Sequence, residues 1–120
     1  MKFGLISDIH LTKKPYRLVS ALRLLQDTDI LLVAGDLADR GLPEQYDLLE
    51  NIFNTHFPDK PIFIVSGNHD IPQNNELPYR SFEKSISWRN NCYSLENDLS
   101  SAYYAEITEN IDLIGLNPLY

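Results

Sequence analysis

Three short blocks of the 120-residue sequence place carboxylate, imidazole and carboxamide side chains at spacings that suit a shared cation. They are Asp8-Ile9-His10, then Gly35-Asp36-Leu37-Ala38-Asp39-Arg40-Gly41, then Gly67-Asn68-His69-Asp70. Asp8 and His10 stand two apart. On extended backbone, residues i and i+2 face the same side, so a carboxylate oxygen and an imidazole nitrogen can point at one ion. Asp36 can add a second carboxylate, and Asn68 a neutral carbonyl oxygen. Oxygen and imidazole donors suit Mn²⁺, Fe²⁺ or Zn²⁺. A set without thiolates argues against a structural zinc knuckle. Singly, each residue has a plainer explanation: Asp8 and Asp36 as helix N-caps, Asn68 as a turn former, His69 as a hydrogen-bonded loop residue. Their occurrence together, in this order, favours a site.

The elements that must position these blocks are legible as apolar runs. Residues 2–7, 29–34 and 61–65 are short and continuously apolar, as buried strands are, and a block begins where each run ends. Between them, residues 15–26 put Leu18, Leu22 and Leu25 on one helical face, with Pro15 suited to the first turn. Residues 43–57 read as a second helix, opened by Pro43, striped by Tyr46, Leu49, Ile52 and Phe53, and ended by Pro58. This alternation predicts an α/β fold, a βαβαβ half with a parallel sheet and right-handed crossovers. Parallel pairing would bring the blocks side by side although Asp8, Asp36 and Asn68 lie 28 and 32 residues apart. Ligands of open α/β sheets bind at that carboxyl edge.

The pattern then changes. Residues 66–77 are polar and read as a loop, and residues 78–88 as a short helix with Tyr79, Phe82 and Ile86 inward. Residues 91–95, 101–107 and 111–116 read as three strands of an antiparallel meander, with turns at Asn97-Asp98 and Glu109-Asn110. The last of these strands is so apolar that it is expected to be buried and to need neighbours on its sides and faces.

Composition narrows the function classes. The chain is 43% hydrophobic and 22% charged, as a globular domain is. No apolar run approaches the ~18 residues of a membrane-spanning helix. Asp8 and His10 interrupt the apolar start, so it is not expected to act as a secretory signal. Cys92 stands alone, which excludes a disulfide framework and suits a reducing cytoplasm. Net charge is −7, with 17 acidic residues against 10 basic. A phosphate-handling protein with this balance must draw positive charge from something other than Lys and Arg, and nucleic acid is disfavoured as a partner.

The three blocks resemble the D-x-H, G-D-x-x-D-x-G and G-N-H-D/E motifs of the calcineurin-like metallophosphoesterases, most closely the phosphodiesterase-like bacterial members. The resemblance is sharp over residues 1–71 and softer to residue 117. It implies a β-sandwich flanked by helices, of which residues 1–120 form a single partial, N-terminal domain. By this resemblance Asp8 and His10 bind a first metal, Asp36 bridges to a second, and Asn68 ligates the second. His69 acts near the leaving-group oxygen as general acid or transition-state stabiliser, Asp70 or Asp39 orients His69, and Arg40 contacts the phosphate. Arg40 has an equally plain alternative, a surface ion pair with Asp39. The cofactor implied is one or two divalent ions, Mn²⁺ first, with Fe²⁺ or Zn²⁺ as alternatives. A bridging carboxylate can hold two ions ~3.5–4 Å apart, which polarise phosphoryl oxygens and bring the pKa of a bound water toward ~7. Such ions would supply an activated water for attack on phosphorus, and a histidine of pKa ~6.5 could deliver a proton at neutral pH.

The family's later blocks, a single His and a G-H-x-H, have no counterpart here: the histidines are His10, His56 and His69. His56 falls at the end of the second helix, where it suits the helix C-terminus. The first ion would have Asp8, His10 and Asp36, the second Asp36 and Asn68, and neither set reaches four. The expectation is therefore a metal-dependent phosphomonoester or phosphodiester hydrolase that is truncated and weak or inactive as this chain alone. Its substrate would be a small phosphate ester. Self-association, or pairing with a complementing chain, is expected through the unfinished sheet edge. The alternative is a non-catalytic interaction or scaffold module, against which the intact ligands weigh.

Overall fold

A computed structural model of the chain describes residues 1–65, 67, 70, 93–94 and 102–116. Strands β1 (Phe3–Ile6), β2 (Ile30–Ala34) and β3 (Ile62–Val65) form a parallel sheet in the order β1-β2-β3. Register pairs Leu5 with Leu32 and Val33 with Ile64. Helix α1 (Tyr16–Leu24) joins the first pair and α2 (Pro43–His56) the second. α1 and α2 touch, as helices on the same face of the sheet do. The expected five elements are present, each shorter by one to three residues than its apolar run.

Apolar periodicity explains the packing. Leu18 and Leu22 of α1 and Tyr46, Leu49, Ile52 and Phe53 of α2 are buried. They meet Ile30, Leu31 and Val33 of β2 and Ile62, Phe63 and Ile64 of β3 in one core. Burying each large side chain contributes roughly 1.5–3 kcal/mol. Pro43 occupies the first position of α2, and the Gln45 side chain accepts hydrogen bonds from the N–H groups of Arg40 (3.0 Å) and Leu42 (3.2 Å). That contact ties the loop after β2 to the start of α2. At the other ends of the helices, the Gln26 side chain donates to the carbonyls of Leu22 (2.8 Å) and His56.

β1 departs from the expectation of a buried strand. Phe3 is 41% and Leu5 67% exposed, because they share one face of the strand, and the cover lies on the other face, where Gly4 is buried and Ile6 half-buried. Among the described residues β1 pairs only with β2.

A second, antiparallel sheet has the order β4-β5-β6, from β4 (Tyr93–Ser94), β5 (Ala102–Thr108) and β6 (Ile111–Leu116). The turn at Glu109-Asn110 is where the sequence puts it. The sheets meet where β6 approaches β3, and Ala105 of β5 joins the core. β6 is not the buried strand expected from its composition: Ile114 is 65% and Leu116 62% exposed, since an antiparallel strand covered on one face alternates inside and outside. The predicted helix over 78–88 and the turn at Asn97-Asp98 lie outside the described residues. No helix among the described residues is long and apolar enough to cross a membrane.

Candidate metal centre

The loops after β1 and β2 run side by side as a continuation of the sheet. Asp8 N–H donates to the Gly35 carbonyl (3.1 Å), His10 N–H to the Asp36 carbonyl (2.9 Å) and Leu11 N–H to the Leu37 carbonyl (2.8 Å). In return, Asp39 N–H donates to the Leu11 carbonyl at 3.0 Å, and Leu11 and Ala38 form a parallel bridge. Leu11, Leu37 and Ala38 are buried and anchor the paired loops, while Asp8 is exposed and His10, Asp36 and Asp39 are only half-buried.

This zipped segment is not extended in the way the i, i+2 reading assumed. Asp8 has φ 53°, His10 φ 46° and Asp36 φ 52°, all in the left-handed region, and Gly35 before Asp36 has φ 81°. Left-handed backbone costs a residue with a Cβ roughly 1–2 kcal/mol. Three such residues in one cluster form a strained arrangement of the kind that gathers at functional sites. The convergence of Asp8 and His10 thus comes from kinked backbone rather than strand alternation. Neither aspartate caps a helix: the N-caps of α1 and α2 are Pro15 and Leu42.

The side chains meet as the donor types suggested. Nε2 of His10 lies 3.7 Å from Oδ1 of Asp8 and 3.7 Å from Oδ2 of Asp36. One ligand atom from each of the three lies within 4.8 Å of the others. Donors ~2.1 Å from a shared cation are at most ~4.2 Å apart, so a small inward shift closes the set. Asp36 is the most sheltered, with 15% of its side chain exposed, and Asp8 the most open at 67%. Two carboxylates aimed at one point repel each other, and a cation between them removes that cost. The donors present fit a divalent ion that prefers oxygen and imidazole.

On the far side of the imidazole, Nδ1 of His10 lies 3.9 Å from Oδ1 of Asp39. A carboxylate behind the second ring nitrogen is the usual way a metal-binding histidine is held in orientation. The family resemblance offers Asp70 or Asp39 as the residue that orients His69 and gives His10 no such neighbour. Asn68 and His69 lie outside the described residues.

Asp70 is fully buried and serves as a backbone clamp. Its carboxylate accepts from the N–H groups of Leu37 (3.0 Å), Ala38 (3.0 Å) and Gly67 (2.9 Å), and from the Tyr46 hydroxyl (2.9 Å). It thereby fastens the loop after β3 to the loop that carries Asp36 and to α2. Burial pushes the Asp70 carboxyl up from its ordinary value, opposed by these donors, and burial beside Asp70 also raises the Tyr46 phenol. Tyr46 was legible only as a core residue; its hydroxyl's role has no signal in the helical stripe. Gly67 packs against Asp36 more closely than any other residue type permits, since a Cβ there would meet Oδ1 of Asp36 at 2.0 Å.

Arg40 is exposed and lines a cavity of about 640 Å³ that also takes in Asp39, Lys13 and Lys14. A second cavity, of about 460 Å³, is lined by Asp8, His10, Lys14 and Arg17. Asp8 and His10 therefore open onto concave surface.

Comparison with known proteins agrees with the geometry. The family model described as calcineurin-like phosphoesterase matches residues 1–117. A "Probable cyclic nucleotide phosphodiesterase" of Ruthia magnifica is 34% identical over 83 residues, covering 60% of this chain and 34% of the relative. The DNA double-strand break repair protein Mre11 of Archaeoglobus fulgidus is 26% identical over 99 residues, covering 69% of this chain and 22% of the relative. The chain thus spans about a third or less of the length of these curated relatives.

Proposed function

The chain belongs to the calcineurin-like phosphoesterase family, and on that premise we propose that it is the N-terminal part of an enzyme hydrolysing a small phosphomonoester or phosphodiester with divalent metal. The observation that carries this reading is the convergence of Asp8, His10 and Asp36 within 4.8 Å at the carboxyl edge of the parallel sheet. These three residues would hold one ion, Mn²⁺ being the first choice, and Asp36 with Asn68 a second. When bound, such ions supply Lewis-acid polarisation of the phosphoryl group and an activated water.

The chain's own residues divide the remaining work. Asp39 backs the His10 imidazole and keeps Nε2 turned toward the carboxylates. Asp70 fixes the spacing of the two loops that carry Asp36 and Gly67. His69 delivers a proton to the leaving-group oxygen, and Arg40 offsets charge on the phosphate. The lone cysteine fits a reducing cytoplasm as the place of action. Among the described residues β6 lies at the edge of the second sheet, and this edge pairs with a second copy or a complementing chain; a strictly monomeric mass at high concentration would contradict that pairing.

Because the donor sets stop short of four, hydrolysis by this chain alone is expected to be slow or absent, and the test reads product binding instead. Titrating the chain with inorganic phosphate should give a heat of binding only when Mn²⁺ is present, and none in Asp36→Asn. Phosphate binding that ignores both the ion and Asp36 would refute the assignment.

A further inference from the structure

Four of the chain's ten Lys and Arg residues line the two cavities beside the metal donors, in a molecule whose net charge is −7. Three of the four, Lys13, Lys14 and Arg17, fall within five residues of one another, on the loop between β1 and α1 and the first turn of α1. They are exposed, and among the described residues they form no ion pair. This differs from Lys2, whose Nζ lies 3.0 Å from Asp27. Lysines at a concave site without carboxylate partners raise the local potential for anions.

The position of this ledge is set by the metal donors themselves. Leu11 is fastened to Leu37 and buried, so Thr12, Lys13 and Lys14 leave the sheet one step after His10. Lys14 N–H reaches back toward the Thr12 hydroxyl at 3.5 Å, a tight turn that puts Lys14 on the rim of both cavities. The larger cavity, of about 640 Å³, has the size of a small-molecule site. Leu42 and Leu48 give it an apolar wall, while Asp39 and Glu44 leave its charged lining at three cations against two anions.

Resting on the metal-centre reading above, we propose that the Lys13–Lys14 ledge binds a second phosphate group of the substrate. The substrate class is then a small compound with two linked phosphates, such as a nucleoside diphosphate derivative. One phosphate faces Asp8, His10 and Asp36, the other faces Lys13 and Lys14, and the organic part lies along Leu42 and Leu48. A phosphate ester with one phosphate leaves the ledge unused. A net charge of −7 disfavours a polymeric polyanion and leaves a small molecule as the occupant.

The test compares pyrophosphate with inorganic phosphate by calorimetry on the whole chain with Mn²⁺. The comparison is repeated in Lys13→Gln/Lys14→Gln and, as a remote control, in Lys60→Gln. Chelation of the ion by pyrophosphate is common to all three proteins, so differences between proteins carry the result. The expected outcome is a preference for pyrophosphate that falls about tenfold or more in the double variant, ~1.4 kcal/mol per tenfold, and is kept in Lys60→Gln. An unchanged preference in the double variant overturns the ledge. So does an equal loss for both anions, which is general charge attraction. If phosphate binds only with Mn²⁺ and Asp36 while the ledge variant has no effect, the metal-centre reading stands and this inference alone fails. An eight-nucleotide single strand that binds more tightly than a nucleoside diphosphate overturns the small-molecule assignment.

Discussion

Gly67 lies against Asp36 so closely that a Cβ at position 67 would sit 2.0 Å from Oδ1 and 2.6 Å from the backbone nitrogen of Asp36. The glycine is therefore a space requirement of the metal centre, imposed across two strands. Real Cβ contacts are never this short, and the backbone nitrogen cannot swing aside. Gly67→Ala should push Asp36 off the cluster while leaving the core of Phe53, Leu22 and Ile64 in place. The expected result is at least a tenfold loss of Mn²⁺ affinity by calorimetry with unchanged far-ultraviolet circular dichroism; unchanged affinity would contradict the packing.

Asp39 and His10 give a prediction of a different kind. With Oδ1 of Asp39 3.9 Å from Nδ1 of His10, the carboxylate acts on the metal only through the ring it orients. Loss of such a partner lowers metal affinity by ~10–100-fold. Asp39→Asn should fall in that range, with the pH at which Mn²⁺ binding is half lost also displaced. A variant that binds Mn²⁺ like the parent, with the same pH profile, would show that Asp39 does not position His10.

Asp70 sets a pH dependence of stability whose sign is fixed. Its folded carboxyl titrates above the ordinary value because it is buried, while the unfolded chain releases the proton near pH ~3.9. Between these points the unfolded state binds fewer protons than the folded one. The contribution from Asp70 is therefore fully present below ~3.9 and is lost as pH rises through the folded value. Urea denaturation of the metal-free chain should lose stability with rising pH across that window. Subtracting the Asp70→Asn curve should isolate this slope, and a flat difference from about pH 4 upward would count against it.

Much of the framework was legible in the sequence, and the reasons are physical. Leu18-Leu22 and Tyr46-Leu49-Phe53 keep a helical period, and residues 29–34 and 61–65 are continuously apolar, so α1, α2, β2 and β3 follow from local pattern. β1 and β6 read as buried because composition does not reveal which sheet face is covered; Leu5 and Ile114 are open to solvent. Asp8, His10 and Asp36 were identifiable by donor type and by their places after strands. The left-handed backbone that brings them together was not, since nothing in an aspartate's identity fixes its φ. Asp70 looked like a catalytic accessory beside His69. Its clamp on Leu37, Ala38, Gly67 and Tyr46 depends on distant chain segments meeting, which motif spacing does not encode.

The central claim is that Asp8, His10 and Asp36 act as one cation site. The most direct measurement is a Mn²⁺ titration by calorimetry of the parent chain and of Asp8→Asn, His10→Ala and Asp36→Asn. A specific site in the parent, weakened at least tenfold in each of the three variants, is the predicted result. Equal Mn²⁺ affinity in all four proteins, or none in the parent, would contradict it.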